Sequence, residues 1–266
     1  MAFHFHKDRD IYIAQQESNA SAYVIPFIEK ALSIDKELRV MEVGCGEGGV
    51  LKAFLNRGCT GVGIELLKGK AERAKQTLQE EIDTGRAVVM NKNIYDIDVK
   101  YDLEGLFDLI ILKDVIEHIH DQDGILKRLR DFLKPGGRIF FGFPPWQMPF
   151  GGHQQVLAHR VLSKTPYFHL LPTPLYRGVL KAFGETTKSI EDTLEIKETG
   201  ITIERFERLI RKNQFSIDLR TFYLINPIYK YKFKLKPRVQ FQLLASIPFF
   251  RNFVTTAMYY VVKKEG

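Results

Sequence analysis

The stretch LRVMEVGCGEGG at residues 38–49 decides the fold class of this 266-residue chain. Its first six residues form a short, mostly apolar run that glycines end, as is typical of a buried parallel strand, and helical periodicity follows. The alternation continues along the chain, with further strands predicted at residues 61–64, 87–90, 107–112 and 138–143. Alternating strands and helices predict βαβ units, and therefore an α/β fold with a doubly wound, parallel sheet.

The alternation stops after the fifth of these strands. A helix over residues 202–213, with Thr202 as its N-cap, and two strands over residues 217–224 and 255–262 then complete a sheet of seven. The residues before them form a long insertion at the carboxyl edge of the sheet, and such insertions are typically functional lids. We expect one domain over residues 1–266, with these parts: an N-terminal helical segment at 1–35, a glycine-containing core at 36–146, a substrate-covering insertion at 147–200, and a closing helix and strands at 201–266.

Three features of the N-terminal part lead to further expectations. Residues 11–32 have helical periodicity that is interrupted around Asn19 and Pro26, which predicts two short helices. Residues 1–10 lack the apolar run of a secretory signal, so we expect a cytoplasmic protein. His4-Phe5-His6 is accompanied by no further cluster of metal ligands, and we expect no metal site.

Composition supports a globular enzyme or binding protein. The chain is 45% hydrophobic and 27% charged, and it has no stretch of 18 uninterrupted apolar residues, so we expect no integral membrane segment. Its two cysteines, Cys45 and Cys59, are too few for a disulfide framework. The formal net charge is +7, and part of the excess lies in the strip YKYKFKLKPR at residues 229–238.

The glycines after the first strand predict a nucleotide-like ligand. Gly44 and Gly46 allow a tight turn and close approach of a ligand, and the next helix offers free N–H groups at its N-terminus. Glu65 ends the second strand about 20 residues later, where a carboxylate can accept hydrogen bonds from ribose hydroxyls. Both NAD and S-adenosylmethionine carry such a ribose, so these residues alone leave both cofactors open.

The order of the segments resembles one family. VMEVGCGEG at residues 40–48, GIE at 63–65, FDLI at 107–110, DVIEHI at 114–119 and LKPGG at 133–137 closely resemble class I S-adenosylmethionine-dependent methyltransferases. The resemblance implies a Rossmann-like, mostly parallel seven-stranded sheet, S-adenosyl-L-methionine as cofactor, and a transferase that methylates an acceptor. It extends from about residue 38 to residue 143 and does not cover the insertion.

The resemblance also implies which residues bind the cofactor. Gly44, Cys45 and Gly46 would line its methionine and ribose, Glu42 its amino group, and Glu65 its ribose. Asn93, rather than Asn91, and Ile94 would contact the adenine, while Lys113 and Asp114 would border both cofactor and acceptor. The full set is Glu42, Gly44, Cys45, Gly46, Gly48, Glu65, Asn93, Ile94, Lys113 and Asp114.

The acceptor is predicted to be a small molecule, a glycan or a lipid-linked intermediate, methylated on oxygen. His153 lies in the insertion and is the candidate base, with Gln154 or Gln155 orienting the acceptor, because an imidazole titrates near neutral pH. The sequence leaves two alternatives open: an NAD-dependent dehydrogenase or epimerase, and a non-catalytic protein that binds S-adenosylmethionine.

The basic strip at residues 229–238 has several interpretations. It is typical of a solvated edge strand whose lysines prevent edge pairing, or of a surface that meets phosphates or anionic lipid in peripheral membrane contact. Nucleic acid stays open as a partner but is not favoured. Phe143-Pro144-Pro145-Trp146 is similar to a signature of DNA-base methyltransferases, but it follows the fifth strand instead of the fourth.

Overall fold

Eight strands form one sheet in the computed structural model, which describes residues 8–265. The strands are β1 (Arg39–Val43), β2 (Thr60–Ile64), β3 (Ala87–Met90), β4 (Phe107–Lys113), β5 (Leu133–Phe143), β6 (Phe215–Ile225), β7 (Arg238–Val239) and β8 (Ala257–Lys264). Their spatial order is β3-β2-β1-β4-β5-β8-β6-β7. The pairs among β1 to β5 are parallel, whereas β8 pairs antiparallel with β5 and β6, and β7 antiparallel with β6. The predicted doubly wound α/β class is confirmed.

The predicted count of seven strands is wrong by one. The additional strand is β7, which pairs at the edge through Tyr223 with Val239 and Ile225 with Arg238. Two residues are too few to give a periodic signal in the sequence. The strip at residues 229–238 does not form the edge strand that its alternation favours. It begins as a short helix over Tyr229–Phe233, which ends at Lys234 with a positive φ of 58°, and only its last residue, Arg238, belongs to β7.

The helices lie on both faces of the sheet. They are α1 (Arg9–Asn19), α2 (Ile25–Ile28), α3 (Gly49–Leu55), α4 (Lys68–Thr77), α5 (Gln79–Asp83), α6 (Gln122–Phe132), α7 (Thr173–Ala182), α8 (Thr187–Thr199), α9 (Ile203–Lys212), α10 (Tyr229–Phe233), α11 (Gln242–Ala245) and α12 (Phe250–Phe253). None of the helices within residues 8–265 is both long and apolar enough to cross a membrane.

Central strand β4 shows why both faces are covered. Ile110 and Leu112 pack into one apolar cluster with α6 and α9, while Leu109 and Ile111 pack into a second cluster with α2, α3 and α4. Successive side chains of a strand point to opposite faces, so a fully apolar strand needs helices on both sides. Each fully buried side chain of this kind contributes about 1.5–3 kcal/mol.

The N-terminal helices are continuous, which corrects the predicted interruption at Asn19. A π-helical turn over Ala20–Val24 joins α1 directly to α2, and the N–H of Ile25 donates to the carbonyl of Ala20. Pro26 stands in the first turn of α2, where its missing N–H costs little. The continuous segment carries α1 along the edge of the sheet at which the glycines lie. The histidines of His4-Phe5-His6 lie outside the described residues.

The insertion forms its own packed unit of short turns and two helices. Leu157, Leu162, Tyr176, Leu180, Ile190 and Leu194 make an apolar cluster separate from the two clusters of the sheet. Thr186 caps α8 by accepting a hydrogen bond from the N–H of Ser189. Thr202 caps α9 in the same way, as the sequence predicts, through the N–H of Arg205.

Candidate active site

The turn between β1 and α3 is closed on one side and open on the other. The N–H groups of Gly44 and Cys45 donate to the carbonyl of Ile64, at 2.8 and 3.0 Å, which fixes the turn against β2. Gly44 has φ +69°, and a Cβ built on it would lie 2.7 Å from Val115 Cγ2. Gly46 has φ +56°, and a Cβ there would meet nothing within 4 Å. The open side is shaped to admit a ligand next to the backbone.

Glu65 faces this turn from the end of β2. Its Oε2 accepts a hydrogen bond of 2.9 Å from Gly46 N–H, and its Oε1 accepts one of 2.8 Å from Leu67 N–H. Asn91 donates from its side-chain amide to the carbonyls of Glu65 and Leu66, which holds the strand end in place. Each carboxylate oxygen can accept more than one hydrogen bond, so both keep capacity for a pair of ribose hydroxyls.

Glu42 lies at the base of the same opening. Its side chain is 2% exposed, and its Oε2 has no hydrogen-bond partner among the described residues. Burial raises the pKa of Glu42 to about 8, and Glu65 adds to this, while Lys113 acts in the opposite direction. A buried carboxylate oxygen without a partner fits a ligand that brings a donor, such as the ammonium group of an amino acid.

The side chain of Lys113, at the end of β4, contacts both α1 and the neighbouring Asp114. Lys113 Nζ lies 3.1 Å from Gln16 Oε1 and 2.5 Å from Asp114 Oδ2. Burial disfavours the charged lysine, but the neighbouring carboxylate more than offsets this and holds its pKa above the ordinary value. Asp114 has φ +56°, an uncommon conformation for a residue other than glycine. A backbone held in this way at a strand end is frequent at functional sites.

These residues surround one opening, which we call the cofactor cleft. It has a volume of about 120 Å³, and its lining includes Glu42, Gly44, Cys45, Gly46, Glu65, Lys113 and Asp114. Gly48 lies just behind it, where its N–H closes the turn onto the carbonyl of Cys45. The structure thus brings together most of the predicted cofactor residues.

Asn93 and Ile94 are placed differently. Asn93 Oδ1 accepts a hydrogen bond from the N–H of Tyr95 and caps a short 3₁₀ turn, and the buried Ile94 packs into the apolar core. Neither is among the residues that line the cofactor cleft. Their contact with adenine stays a prediction.

A second opening, the acceptor cavity, adjoins the cofactor cleft. It has a volume of about 350 Å³ and shares Tyr12, Gln16 and Asp114 with the cleft. The insertion contributes apolar and polar walls through Met148, Phe150, His153 and Gln155, and the segment after β6 contributes Asn226, Tyr229 and Lys232. The walls therefore combine apolar side chains with many polar and charged ones.

His153 lines this cavity. Its φ of +53° places it in the left-handed region. Its ring centroid is 5.0 Å from that of His118, at an interplanar angle of 66°. Burial, and next the nearby His118, lower the pKa of His153 to about 4, so its imidazole is neutral at pH 7.

Gln154 does not face the acceptor. It is fully buried, and its amide donates to the carbonyls of Pro149 and Thr165, at 3.0 and 3.3 Å. It also lies next to His169, whose Nε2 is 2.9 Å from the carbonyl oxygen of Trp146. Gln154 and His169 therefore hold the fold of the insertion, and Gln155 is the glutamine that lines the cavity.

Several residues that line the acceptor cavity were not predicted from the sequence. Tyr12 and Gln16 are four residues apart, which places them on one face of α1, and this spacing is the signal that could have identified them. Glu117 lies inside the DVIEHI segment, and Tyr229 and Lys232 belong to the basic strip. The sequence analysis singled out the segments that contain these residues, but only the fold shows that the residues line one cavity.

Comparison with known proteins identifies the family. The sequence model of the methyltransferase domain family matches residues 16–163, which is more than half of the chain. The chain belongs to the methyltransferase domain family. The match includes the glycine turn, Glu65 and the end of β4, and it favours a methyltransferase over the dehydrogenase alternative. It also confirms the resemblance stated from the sequence and, for the family, S-adenosylmethionine as cofactor.

Curated relatives of this methyltransferase are similar over part of the chain. The ubiquinone biosynthesis O-methyltransferase of Coxiella burnetii is 26% identical over 117 residues, which are 44% of this chain and 47% of the relative. The enzyme of the same name from Pseudomonas aeruginosa is 28% identical over 190 residues, 70% of this chain and 76% of the relative. The chain spans about half the length of most of the curated relatives it matches.

Solved structures share the fold of this methyltransferase. An S-adenosylmethionine-dependent methyltransferase from Clostridium acetobutylicum gives a TM-score of 0.55 at 12% identity and covers 94% of this chain and 92% of its own. The magnesium protoporphyrin IX methyltransferase of Synechocystis, solved with S-adenosylhomocysteine, gives 0.54 at 14% identity and covers 97% and 86%. At these identities the similarity concerns the fold alone.

Proposed function

We propose that this chain transfers a methyl group from S-adenosylmethionine to an oxygen of a small-molecule, glycan or lipid-linked acceptor. The observation that carries this proposal is the junction between the cofactor cleft and the acceptor cavity at Tyr12, Gln16 and Asp114. A methyl group held in one opening would face a nucleophile held in the other. Because the donor is already activated, alignment of the two groups supplies much of the rate.

The cofactor residues have distinct proposed roles. Glu65 would bind the ribose, Glu42 the amino group, and the glycine turn would contact the remainder of the cofactor, which supplies an electrophilic methyl group. The partnerless Oε2 of Glu42 and the open space at Gly46 support this fit. Lys113 would hold Asp114 at the border between the two openings.

We propose that His153 acts on the acceptor hydroxyl. It lies in the acceptor cavity and is neutral at pH 7, so it can accept a proton. However, its pKa of about 4 makes it a weak base for a hydroxyl of phenolic acidity, whose pKa is about 10. Efficient transfer therefore requires a second means of making the hydroxyl more acidic.

The proposed function can be tested with S-adenosylmethionine that carries a deuterated methyl group. We expect mass spectrometry to find the label on at least one class among phenols, sugar hydroxyls and lipid-linked acceptors. His153→Ala should lower the rate at least about 100-fold, in the range of a lost acid–base group, without changing the affinity for S-adenosylhomocysteine. His120→Ala is the control, because His120 is exposed and pairs only with Glu195 among the described residues.

Two outcomes would contradict the proposal. A rate that His153→Ala leaves unchanged would remove the role of that residue. Tight binding of S-adenosylhomocysteine without transfer to any acceptor class would favour the non-catalytic binding protein.

We further propose that the protein works in the cytoplasm in peripheral contact with an anionic membrane. Large apolar side chains are exposed along the segment from β7 to α12, including Leu243 at 76% and Phe249 at 69%. The positive side chains of Lys234, Lys236 and Arg238 immediately precede them in the chain. Apolar insertion next to positive charge is the usual basis of binding at a membrane surface.

Neutralising two of these charges should weaken vesicle binding. At about 1 kcal/mol for each lysine near an anionic surface, Lys234→Gln/Lys236→Gln should lower binding roughly 10- to 30-fold. The measurement is sedimentation with vesicles that contain phosphatidylserine, at two salt concentrations. Leu243→Ser should also weaken binding, whereas Leu175→Ser, at an exposed position on α7, should not. Equal binding by all variants would rule out the proposed contact.

A further inference from the structure

Glu117 is a buried carboxylate that the proposed methyl transfer does not use. Its side chain is 5% exposed and lines the acceptor cavity. Neither Oε1 nor Oε2 has a hydrogen-bond partner among the described residues. Buried polar atoms in proteins nearly always have partners, so a carboxylate with two unpaired oxygens suggests that a ligand belongs next to it.

Two imidazoles lie beside this carboxylate. One ligand atom from each of Glu117, His118 and His153 can be chosen so that all lie within 4.8 Å of one another. Glu117 and His118 come from the turn after β4, whereas His153 comes from the insertion, with its backbone in the left-handed region. Two separate segments thus bring three donors to one point, and one of them holds an unfavourable backbone conformation to do so.

We propose that Glu117, His118 and His153 bind a divalent transition-metal ion in the acceptor cavity. Two imidazoles and one carboxylate are the donor set that zinc and ferrous ions take at open catalytic sites, whereas magnesium and calcium prefer oxygen ligands alone. Asp114 lines the same cavity and places a further carboxylate near these donors. The cavity leaves room for an acceptor oxygen as a further ligand.

The role of the ion rests on the proposed function, although its binding does not. An acceptor hydroxyl that binds the ion becomes more acidic and releases its proton to water. The resulting oxygen anion then forms the new bond to the methyl carbon as the carbon–sulfur bond of the donor breaks. In this form His153 acts as a metal ligand in place of the base role proposed above, so no imidazole of high basicity is needed.

Cobalt binding by the full chain tests the inference without any acceptor. Protein depleted of metal by chelation is titrated with Co²⁺, and visible absorption reports coordination by nitrogen. We expect one equivalent of Co²⁺ to bind. Glu117→Gln, His118→Ala and His153→Ala should each weaken binding at least about 100-fold, because the loss of a residue that only supports a metal ligand already costs up to about 100-fold. His153→Asn is a second variant at that position, because asparagine tolerates the left-handed backbone.

The controls separate the cluster from other histidines and from unfolding. His120→Ala and the double variant His4→Ala/His6→Ala should bind Co²⁺ as the unmodified chain does. Retained affinity for S-adenosylhomocysteine shows that each variant is folded. Absence of stoichiometric binding, or equal binding by the unmodified chain and the cluster variants, would overturn the inference.

Failure of this inference and failure of the proposed function give different results. Methyl transfer that continues in chelated protein, without cobalt binding, overturns the metal site and leaves the proposed function intact. Cobalt binding that depends on the three residues, without methyl transfer to any acceptor, supports the metal site and removes the proposed function.

Discussion

Replacement of Glu65 by alanine is expected to lower the affinity for S-adenosylhomocysteine at least about 100-fold, because hydrogen bonds to a charged group contribute about 1.5–3 kcal/mol each. Two such bonds to the ribose would be lost, together with the hydrogen bonds that hold Gly46 and Leu67 in place. Calorimetric titration of the purified protein measures the change directly.

The matched control is Glu72→Ala. Glu72 lies on α4, its side chain is mostly exposed, and its ion pair with Lys68 is long, at 3.8 Å. Its loss should leave the affinity unchanged. Equal affinities for unmodified protein and Glu65→Ala would contradict the proposed ribose contact, and binding of NAD in place of S-adenosylhomocysteine would restore the dehydrogenase interpretation.

Gly44→Ala should reduce both stability and cofactor binding. A left-handed conformation costs a residue with a Cβ about 1–2 kcal/mol, and the contact of 2.7 Å with Val115 adds about 1–3 kcal/mol of overpacking. We expect the free energy of unfolding to fall by about 2–5 kcal/mol, as measured by chemical denaturation.

Gly69→Ala is the control for this substitution. Gly69 lies in α4, has no φ in the left-handed region, and a Cβ there would meet nothing within 4 Å. Alanine should therefore stabilise the helix by about 0.5–1 kcal/mol. A double-mutant cycle with Val115→Ala separates the two costs, since it relieves the steric contact and leaves the backbone strain. A stable Gly44→Ala protein that binds S-adenosylhomocysteine normally would show that this turn does not require glycine.

The sequence predicts the fold class well because local pattern and global fold agree in β1 to β5. An apolar strand ended by glycines has few alternatives, and five strands that alternate with helices leave only a handful of topologies. Glu65 was also predictable, because its position follows from the βαβ unit itself. By contrast, β7 is too short for a pattern, and the alternation of lysine and aromatic residues before it fits a strand as well as a helix end.

The acceptor cavity was much harder to predict. It is made by segments that are far apart in the sequence: α1, the turn after β4, the insertion and the segment after β6. No periodicity relates Gln16 to His153 or Lys232, so their proximity follows only from tertiary packing. The two adjacent glutamines also could not be told apart from the sequence, since Gln155 lines the cavity whereas Gln154 is fully buried.

The position of α1 couples the two openings. Tyr12 and Gln16 belong to both the cofactor cleft and the acceptor cavity, and Gln16 is bonded to Lys113 at their border. We therefore expect that a ligand that fixes α1 from one side would lower the ordering cost for a ligand on the other side. Such cooperativity is reciprocal: whatever factor the cofactor adds to the affinity for the acceptor, the acceptor adds to the affinity for the cofactor.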